Sequence, residues 1–527
     1  MHADSSLSPR QREKRTRRIA AAAVLVIACA AAGFASIIAG QDANWDLRNY
    51  RLYNPWAWLT GRYGYDIAPA QLQTFHNPLI DVPFYAMVAA DWPPRVISFV
   101  LALPAGVAAF FLWKVAEATF APLDGSSRRV AIVAALVVGL TGPNAVALLG
   151  LTMNEWIGTA FILAALWLLL RDADDSSIRR RSVLVSGLCV GLACGLKLTA
   201  APYALGMAAG LMCAGPWRVS FAEACVFSIA ALAGIAVTGG PWMLLLASEY
   251  GNPVFPYFDR LFASPLQPVA SMHPRFGPDT ALGWLTLPFE LWRPRVGLVS
   301  ESPYRDARFP LVAALGIIAL GTSIVQRRSR PSIGASRECF LIVFFVVAFV
   351  AWAAVFAIHR YLLALEVVTG IAIALLLARI AAARAFTLIL GTVVVAIVST
   401  TRYPDWDRTR FGDHFIQVER PDVPANALIL LTADAPMSFV LPWFPKDARF
   451  IGIEGNLVRS DQDSGLLRKA SDIVARHDGP ILQLTPQNEP AAPALSRLSL
   501  MRAGACGEVR SNLSRDVLAL CPLVRVR

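Results

Sequence analysis

Apolar residues recur along this chain in long unbroken runs. They do not follow the short alternation expected of half-buried strands or surface helices. The runs fall near residues 19–40, 95–113, 130–150, 155–170, 183–200, 201–216, 222–246, 310–326, 338–358, 361–378 and 384–400. Most approach the ~20 apolar residues that a bilayer-spanning helix needs, so the pattern predicts an all-α polytopic membrane protein of about 11 transmembrane helices. The two runs joined at "KLTAAPY" are read as short spans. After the last run the pattern changes. "ALILLTADAPMSFVLPWFP" and "GPILQLTP" read as buried strands bounded by turn residues. "SDQDSGLLRKASDIVARH" has helical period. The tail is therefore predicted to be a small C-terminal α/β domain.

Composition agrees with a membrane protein. The chain has 527 residues, of which 56% are hydrophobic and 16% charged. Its mean hydropathy is +0.51. The net charge of +11 is read as inner loops rich in Lys and Arg, and not as a nucleic-acid-binding surface. Arg10, Arg12, Lys14, Arg15, Arg17 and Arg18 precede the first run. Arg128 and Arg129, "RDADDSSIRRR", Arg218, "QRRSRPSIGASRE", Arg379 and Arg384 fall on the same side when spans are counted. The expected topology in a bacterial inner membrane has the N-terminus in the cytoplasm and the C-terminus in the periplasm. Residues 1–18 form a cytoplasmic basic tail. Residues 19–401 form the membrane domain, with outer loops 41–94 and 247–309. Residues 402–527 form the periplasmic domain. The chain has eight cysteines. Six lie in or near apolar runs, where cysteine acts as a small hydrophobe. Cys506 and Cys521 lie in the polar tail, where a periplasmic location permits a disulfide.

The first outer loop opens with "QDANWDLRNYRLYNPWAWLTGR". Trp45, Asn49, Leu52, Tyr53, Trp56 and Leu59 recur at helical spacing, which suits an interfacial helix with Trp56 and Trp58 as membrane–water anchors. Anchoring does not account for Asp42, Asp46 and Tyr50, which share one face at i, i+4, i+8. A second polar stretch, "YDIAPAQLQTFHNPLIDVPFY", adds His76, Asn77 and Asp81 between prolines. Irregular polar backbone beside a membrane is tolerated where it lines a cavity or is buried in protein, and marks a candidate site.

These residues resemble the segment after the first span in the GT-C class of membrane glycosyltransferases, closest to the polyprenyl-phosphate-mannose-dependent family 87. The resemblance rests on Asp46, Leu47, Arg48, Asn49, Tyr50 and Gly61, with Glu155 in "TMNEW", "GLACGLKLTAAPYALG", "YGNPVFPYFDRLFASP" and "HRYLLALE" in step. It covers residues 19–400. The Asp-Glu pair of several GT-C families is missing, which leaves the base between Asp46 and Asp42. The resemblance implies an inverting glycosyltransferase that moves a sugar from a polyprenyl-phosphate donor to a hydroxyl acceptor (a glycan, lipid or protein) on the periplasmic face, in contact with membrane lipids.

Such chemistry needs a carboxylate base for the acceptor hydroxyl and cations for the departing phosphate. Asp46 is the first candidate base and Asp42 the second, with His76 a third. Lys197, Arg360 and Arg48 are candidates for the donor phosphate. Lys197 and Arg360 face outward against the usual inward bias of positive charge, although Lys197 at a span end also suits snorkelling. Tyr50, Asn77, Asp81, Asn154, Glu155 and Tyr361 are candidates for substrate contact. Asp81 and Glu155 are equally suited to cap helices, and Glu366, inside a span, is a partner for a cation such as Arg360. No phosphate loop, CxxC pair or HExxH is present. Asp42, Asp46 and Asp81 are a conceivable divalent-ion set, but the expectation is no metal and no other cofactor. Two other readings compete: a transporter or flippase of a lipid-linked saccharide, and a non-catalytic assembly protein of envelope polysaccharide synthesis. Polar groups gathered at outer ends, without internal duplication, favour the enzyme over a transporter.

Overall fold

The computed structural model describes residues 9–171, 176–266, 276–326, 335–487, 489 and 493–526. The basic loops that begin at Arg171 and Gln326 lie partly outside the described residues. Each apolar run is met by a helix: α1 (Pro9–Ala39), α2 (Pro94–Thr119), α3 (Gly125–Leu140), α4 (Glu155–Arg171), α5 (Ser176–Leu196), α6 (Ala201–Cys213), α7 (Trp217–Thr238), α8 (Arg308–Gln326), α9 (Ala335–Val355), α10 (Leu363–Ile380) and α11 (Ala383–Thr400). Among the described residues, five helical segments are long and apolar enough to cross a membrane. Two runs break where the sequence carries Gly-Pro. The run expected to reach residue 150 stops at Leu140, because Gly142 and Pro143 end α3 and Pro143 starts a short new helix, Pro143–Ala147. The run at 222–246 divides at Gly239 into α7 and the helix Gly240–Tyr250.

Small residues set the close packing of α5 against α7. A Cβ on Gly191 would collide with the Ala231 carbonyl, and one on Gly187 with that of Phe227. Glycines one turn apart allow this approach, where dispersion and not the hydrophobic effect holds helices together. α5 ends at Leu196, and Lys197 follows it into the 3-10 turn Leu198–Ala200.

The tail is a seven-stranded mixed sheet in the order β3-β8-β9-β6-β4-β5, with β7 also pairing β9. The strands are β3 (Val418–Glu419), β4 (Leu428–Leu431), β5 (Arg449–Gly452), β6 (Ile481–Pro486), β7 (Leu500–Arg502), β8 (Gly507–Ser511) and β9 (Ser514–Arg525). β4 is parallel to both β5 and β6. Helix α12 (Gly465–Arg476) joins β5 to β6 with the period read from the sequence. The expected strand through "SFVLPWFP" is instead a 3-10 segment, Ser438–Trp443, with Pro442 inside it. Proline has no N–H for a sheet ladder.

The tail packs directly on the loop of residues 41–94. β1 (Gln41–Asp42) pairs antiparallel with β2 (Arg408–Thr409), and Ile67 bridges to Ile451 at the edge of the large sheet. Arg62 forks onto Asp66 at 2.7 and 2.8 Å and donates to the carbonyls of Lys446 and Ala448. This corrects the interfacial-helix reading. Asn49, Leu52, Tyr53 and Trp56 are buried, and Leu47, Tyr50, Tyr53 and Trp56 share a core with Phe439, Val440 and Phe450 of the tail. Aromatic residues that suit a membrane surface suit a protein interface equally well, because both offer an apolar body and a polar rim.

Candidate active site

The loop of residues 41–94 enters the site through one unusual turn. Leu47–Arg51 is a π-helix, a form found mostly as single turns at functional sites. The wider turn lets both Tyr50 and Arg51 face Asp46. Tyr50 Oη donates to Asp46 Oδ2 at 3.0 Å, and Arg51 Nη2 lies 3.7 Å from the same oxygen. Arg360, from the 3-10 turn His359–Leu362 ahead of α10, brings Nη1 to 3.2 Å from Asp46 Oδ2.

The remaining groups close around these. Arg51 Nη1 donates to both Asp81 oxygens at 3.1 and 3.2 Å, and its Nη2 to the Met153 carbonyl at 2.9 Å. Asn154, at positive φ, donates to Asp81 Oδ1 at 2.6 Å. Lys197 Nζ donates to Glu155 Oε1 at 2.5 Å and to the Met153 carbonyl at 2.8 Å, and lies 5.2 Å from the centre of the Tyr361 ring. Arg360 Nη2 reaches the Tyr361 hydroxyl at 3.4 Å, and Arg360 Nε lies 3.9 Å from Glu155 Oε1. Three carboxylates (Asp46, Asp81, Glu155) thus meet three cations (Arg51, Lys197, Arg360) beside the start of α4, the end of α5 and the start of α10.

Two features leave this cluster able to take a ligand. Among the described residues, Glu155 Oε2 and Arg360 Nε have no hydrogen-bond partner although both are buried. A cleft also runs from Glu155, Lys197 and Tyr361 along an apolar wall that includes Ile157, Ile162, Ala193 and Leu196.

Burial pushes the Asp46 carboxyl up, but the charges of Arg360, Arg51 and Lys197 outweigh it and hold the group at about 2. Burial with the nearby Arg51 charge lowers His76 to about 3, so its imidazole is neutral at pH 7. His76 Nε2 lies 3.2 Å from the Tyr257 hydroxyl, and its ring meets Tyr50 edge-on at 5.3 Å.

Other candidates from the sequence lie apart from this cluster. Asp42 is saturated: it accepts from Thr152 N and Oγ1 at 2.8 Å each, and from Asn44 N and Nδ2 at 2.9 and 2.6 Å. It staples the loop to the segment before α4. Arg48 turns to the tail, where it donates to Ser514 Oγ at 3.2 Å and pairs with Asp407 at 3.3 Å. Asn77 spans the carbonyls of Gly195 and Thr238 at 2.8 and 2.9 Å, holding the ends of α5 and α7. Glu366 does not meet Arg360; it accepts from Asn144 and Ala145. Cys506 and Cys521 are joined as a disulfide.

No family model matches the chain, and no curated protein matches it. Solved structures do. ArnT from Cupriavidus metallidurans in the apo state aligns over 97% of this chain and 98% of its own, at 12% identity and a TM-score of 0.50. ArnT from the same organism bound to undecaprenyl phosphate aligns over 96% and 98%, at 11% identity and 0.49. The Archaeoglobus fulgidus oligosaccharyltransferase, in complex with Zn and sulfate, aligns over 88% of this chain and 68% of its own, at 13% identity and 0.48. The chain thus has the fold of the GT-C class, along nearly its whole length.

Proposed function

We propose that this chain is an inverting glycosyltransferase that takes a sugar from a polyprenyl-phosphate donor and passes it to a hydroxyl acceptor at the periplasmic face of an inner membrane. The carrying observation is the ion pair of Asp46 with Arg360, set beside Glu155, Lys197 and Tyr361, which form the polar end of an apolar cleft. A lipid phosphate has the same two-part chemistry: a charged head beside a hydrocarbon tail. In this reading the eleven helices are spans, residues 402–527 form the periplasmic domain, and the cleft takes the first isoprene units.

Asp46 is the base. It receives the acceptor proton as the acceptor oxygen attacks the anomeric carbon, while the carbon–phosphate oxygen bond breaks. Arg360 and Lys197 hold the departing phosphate and offset the charge that develops on it. Glu155 keeps Lys197 in place, and Asp81 does the same for Arg51. A carboxyl held at about 2 is a poor base at neutral pH. The donor corrects this. Its phosphate draws on the charge of Arg360 and Lys197, which relieves Asp46 of the attraction that depresses it. Proton affinity therefore rises once donor is bound.

The test is transfer by purified protein in lipid, given a radiolabelled polyprenyl-phosphate sugar and read as release of lipid phosphate. Asp46→Asn is expected to cut release by about a hundredfold or more while binding undecaprenyl phosphate like the parent. Arg360→Ala is expected to lose binding. Full release by Asp46→Asn would sink the mechanism. Lipid movement across the bilayer without release would favour a transporter.

A further inference from the structure

The residue before Arg360 belongs to a second buried cluster that the proposed reaction does not use. Asp306, His359 and Glu366 each present one ligand-type atom, and these atoms lie within 4.8 Å of one another. All three side chains are buried. They arrive from three segments: the loop before α8, the turn His359–Leu362, and α10.

The surroundings are built. Arg308 Nη1 donates to Asp306 Oδ1 at 2.8 Å. Ala145 N and Asn144 Nδ2 each donate to Glu366 at 2.9 Å, and Asn144 Nδ2 also donates to the His359 carbonyl at 3.0 Å. Tyr304 stacks flat on His359 with ring centres 3.7 Å apart. Yet among the described residues no partner reaches Asp306 Oδ2, His359 Nδ1 or Tyr304 Oη, all of them buried. Orphaned polar atoms at this depth are costly.

Arg308 does not resolve this. Its Nε donates to the Val138 carbonyl at 2.9 Å, and its two Nη atoms to the hydroxyls of Thr401 and Thr141 at 3.1 Å each. It is thereby engaged at the C-terminal ends of α3 and α11, whose partial negative charge offsets its own.

We propose that Asp306, His359 and Glu366 bind a divalent metal ion of the zinc or manganese class. One imidazole with two carboxylates is a donor set these ions take. Ligand atoms around a single such ion, at bonds of about 2.1 Å, lie ~3–4 Å apart, so atoms now within 4.8 Å of one another would draw in by about an ångström on binding. Ligating carboxylates are normally hydrogen-bonded from behind. Arg308 on Asp306 Oδ1, which leaves Oδ2 open, and Asn144 on Glu366 have that arrangement. The ion would pin the turn from which Arg360 reaches Asp46. The site is separate from the Asp46 cluster and stands whether or not the glycosyltransferase reading holds.

The test is metal content of the full-length protein in detergent after dialysis against Zn²⁺ or Mn²⁺ and gel filtration. About one ion per chain is expected for the parent and for Glu155→Gln, with a loss of tenfold or more in His359→Ala and Asp306→Asn. A metal-free parent, or variants His359→Ala and Asp306→Asn that keep the ion, overturns the proposal. So does loss of the ion in Glu155→Gln, because the ion then sits in the Asp46 cluster. Zn K-edge absorption of the parent needs no variant: an imidazole in a nitrogen–oxygen shell supports the site, and a shell of thiolate or of oxygen alone overturns it.

Discussion

Arg360 Nη1 lies 3.2 Å from Asp46 Oδ2, and the two residues are 314 positions apart in the chain (360 − 46). One comes from the loop after α1 and one from the turn before α10. Their contact is what separates Asp46 from its neighbour Asp42, whose oxygens already take four hydrogen bonds from Thr152 and Asn44. Transfer should therefore fall by about a hundredfold or more in Asp46→Asn, the range for loss of a positioned base. Asp42→Asn should mainly lower the melting temperature, because one of its amide atoms is a donor facing donors. Comparing kcat and thermal melts of the two variants checks this. Equal loss of kcat in both would return the base assignment to the open pair read from the sequence.

The low pKa of Asp46 carries a pH signature. Its folded value of about 2 lies below the ordinary carboxyl value of about 3.9. The sign follows from that: the ionised form is favoured by folding, so the contribution is full above pH 5 and is lost as pH falls towards 2. Its size is roughly 2 kcal/mol. For catalysis, kcat/KM reports the free enzyme and kcat the donor complex. The acid limb of kcat/KM should lie below pH 4, and that of kcat should lie higher, because bound phosphate draws charge from Arg360 and Lys197. Coincident limbs would count against donor activation of the base. No step near pH 6.5 is expected from His76, which is held at about 3.

Arg51 and Asp81 form a buried pair, 2% and 1% exposed. Removing one partner of such a pair leaves the other charge without compensation, at a cost of about 3–5 kcal/mol. Arg51→Ala should therefore unfold at markedly lower denaturant or temperature. The double variant Arg51→Ala with Asp81→Ala should recover part of that loss. A double variant less stable than the sum of the two single changes would show that the pair is not the unit.

Arg51 also marks where the sequence stopped being legible. Asp46 and Tyr50 were readable because four residues return to one face of an ordinary helix. Arg51 is five residues from Asp46 and falls off that face; only the π-turn at Leu47–Arg51 brings it in, and no period in the sequence announces such a turn. Lys197 and Arg360 were readable as positive charges on the outward side of the span count. Arg48 met the same criterion, yet it points to Asp407 and Ser514, since which way a loop arginine turns is set by the tail packed upon it. The burial of Trp56 was hidden for the same reason. The helical character of the runs was legible because length and apolarity are local properties. The cluster of Asp306, His359 and Glu366 was not, because three segments must fold together before their distances exist.

The Cys506–Cys521 disulfide gives a handle on the side of the membrane that the tail occupies. It closes a loop of separation 15, worth about 3 kcal/mol in the chain-entropy account. Cys521 lies on β9, where it faces Gln483 of β6. Its neighbours Leu518 and Leu520 share a core with Leu47 and Tyr50 of the first outer loop. Loosening β9 should then reach the base itself. The variant with both cysteines changed to serine should melt earlier and be cut sooner by protease in the tail, with transfer reduced in step. Spheroplasts treated with a membrane-impermeant reductant and then an impermeant maleimide should label the parent and not that variant if the tail is periplasmic. Labelling of the parent above the level of that variant, which keeps the other six cysteines, that appears only after lysis would put the tail, and with it Asp46, on the cytoplasmic side.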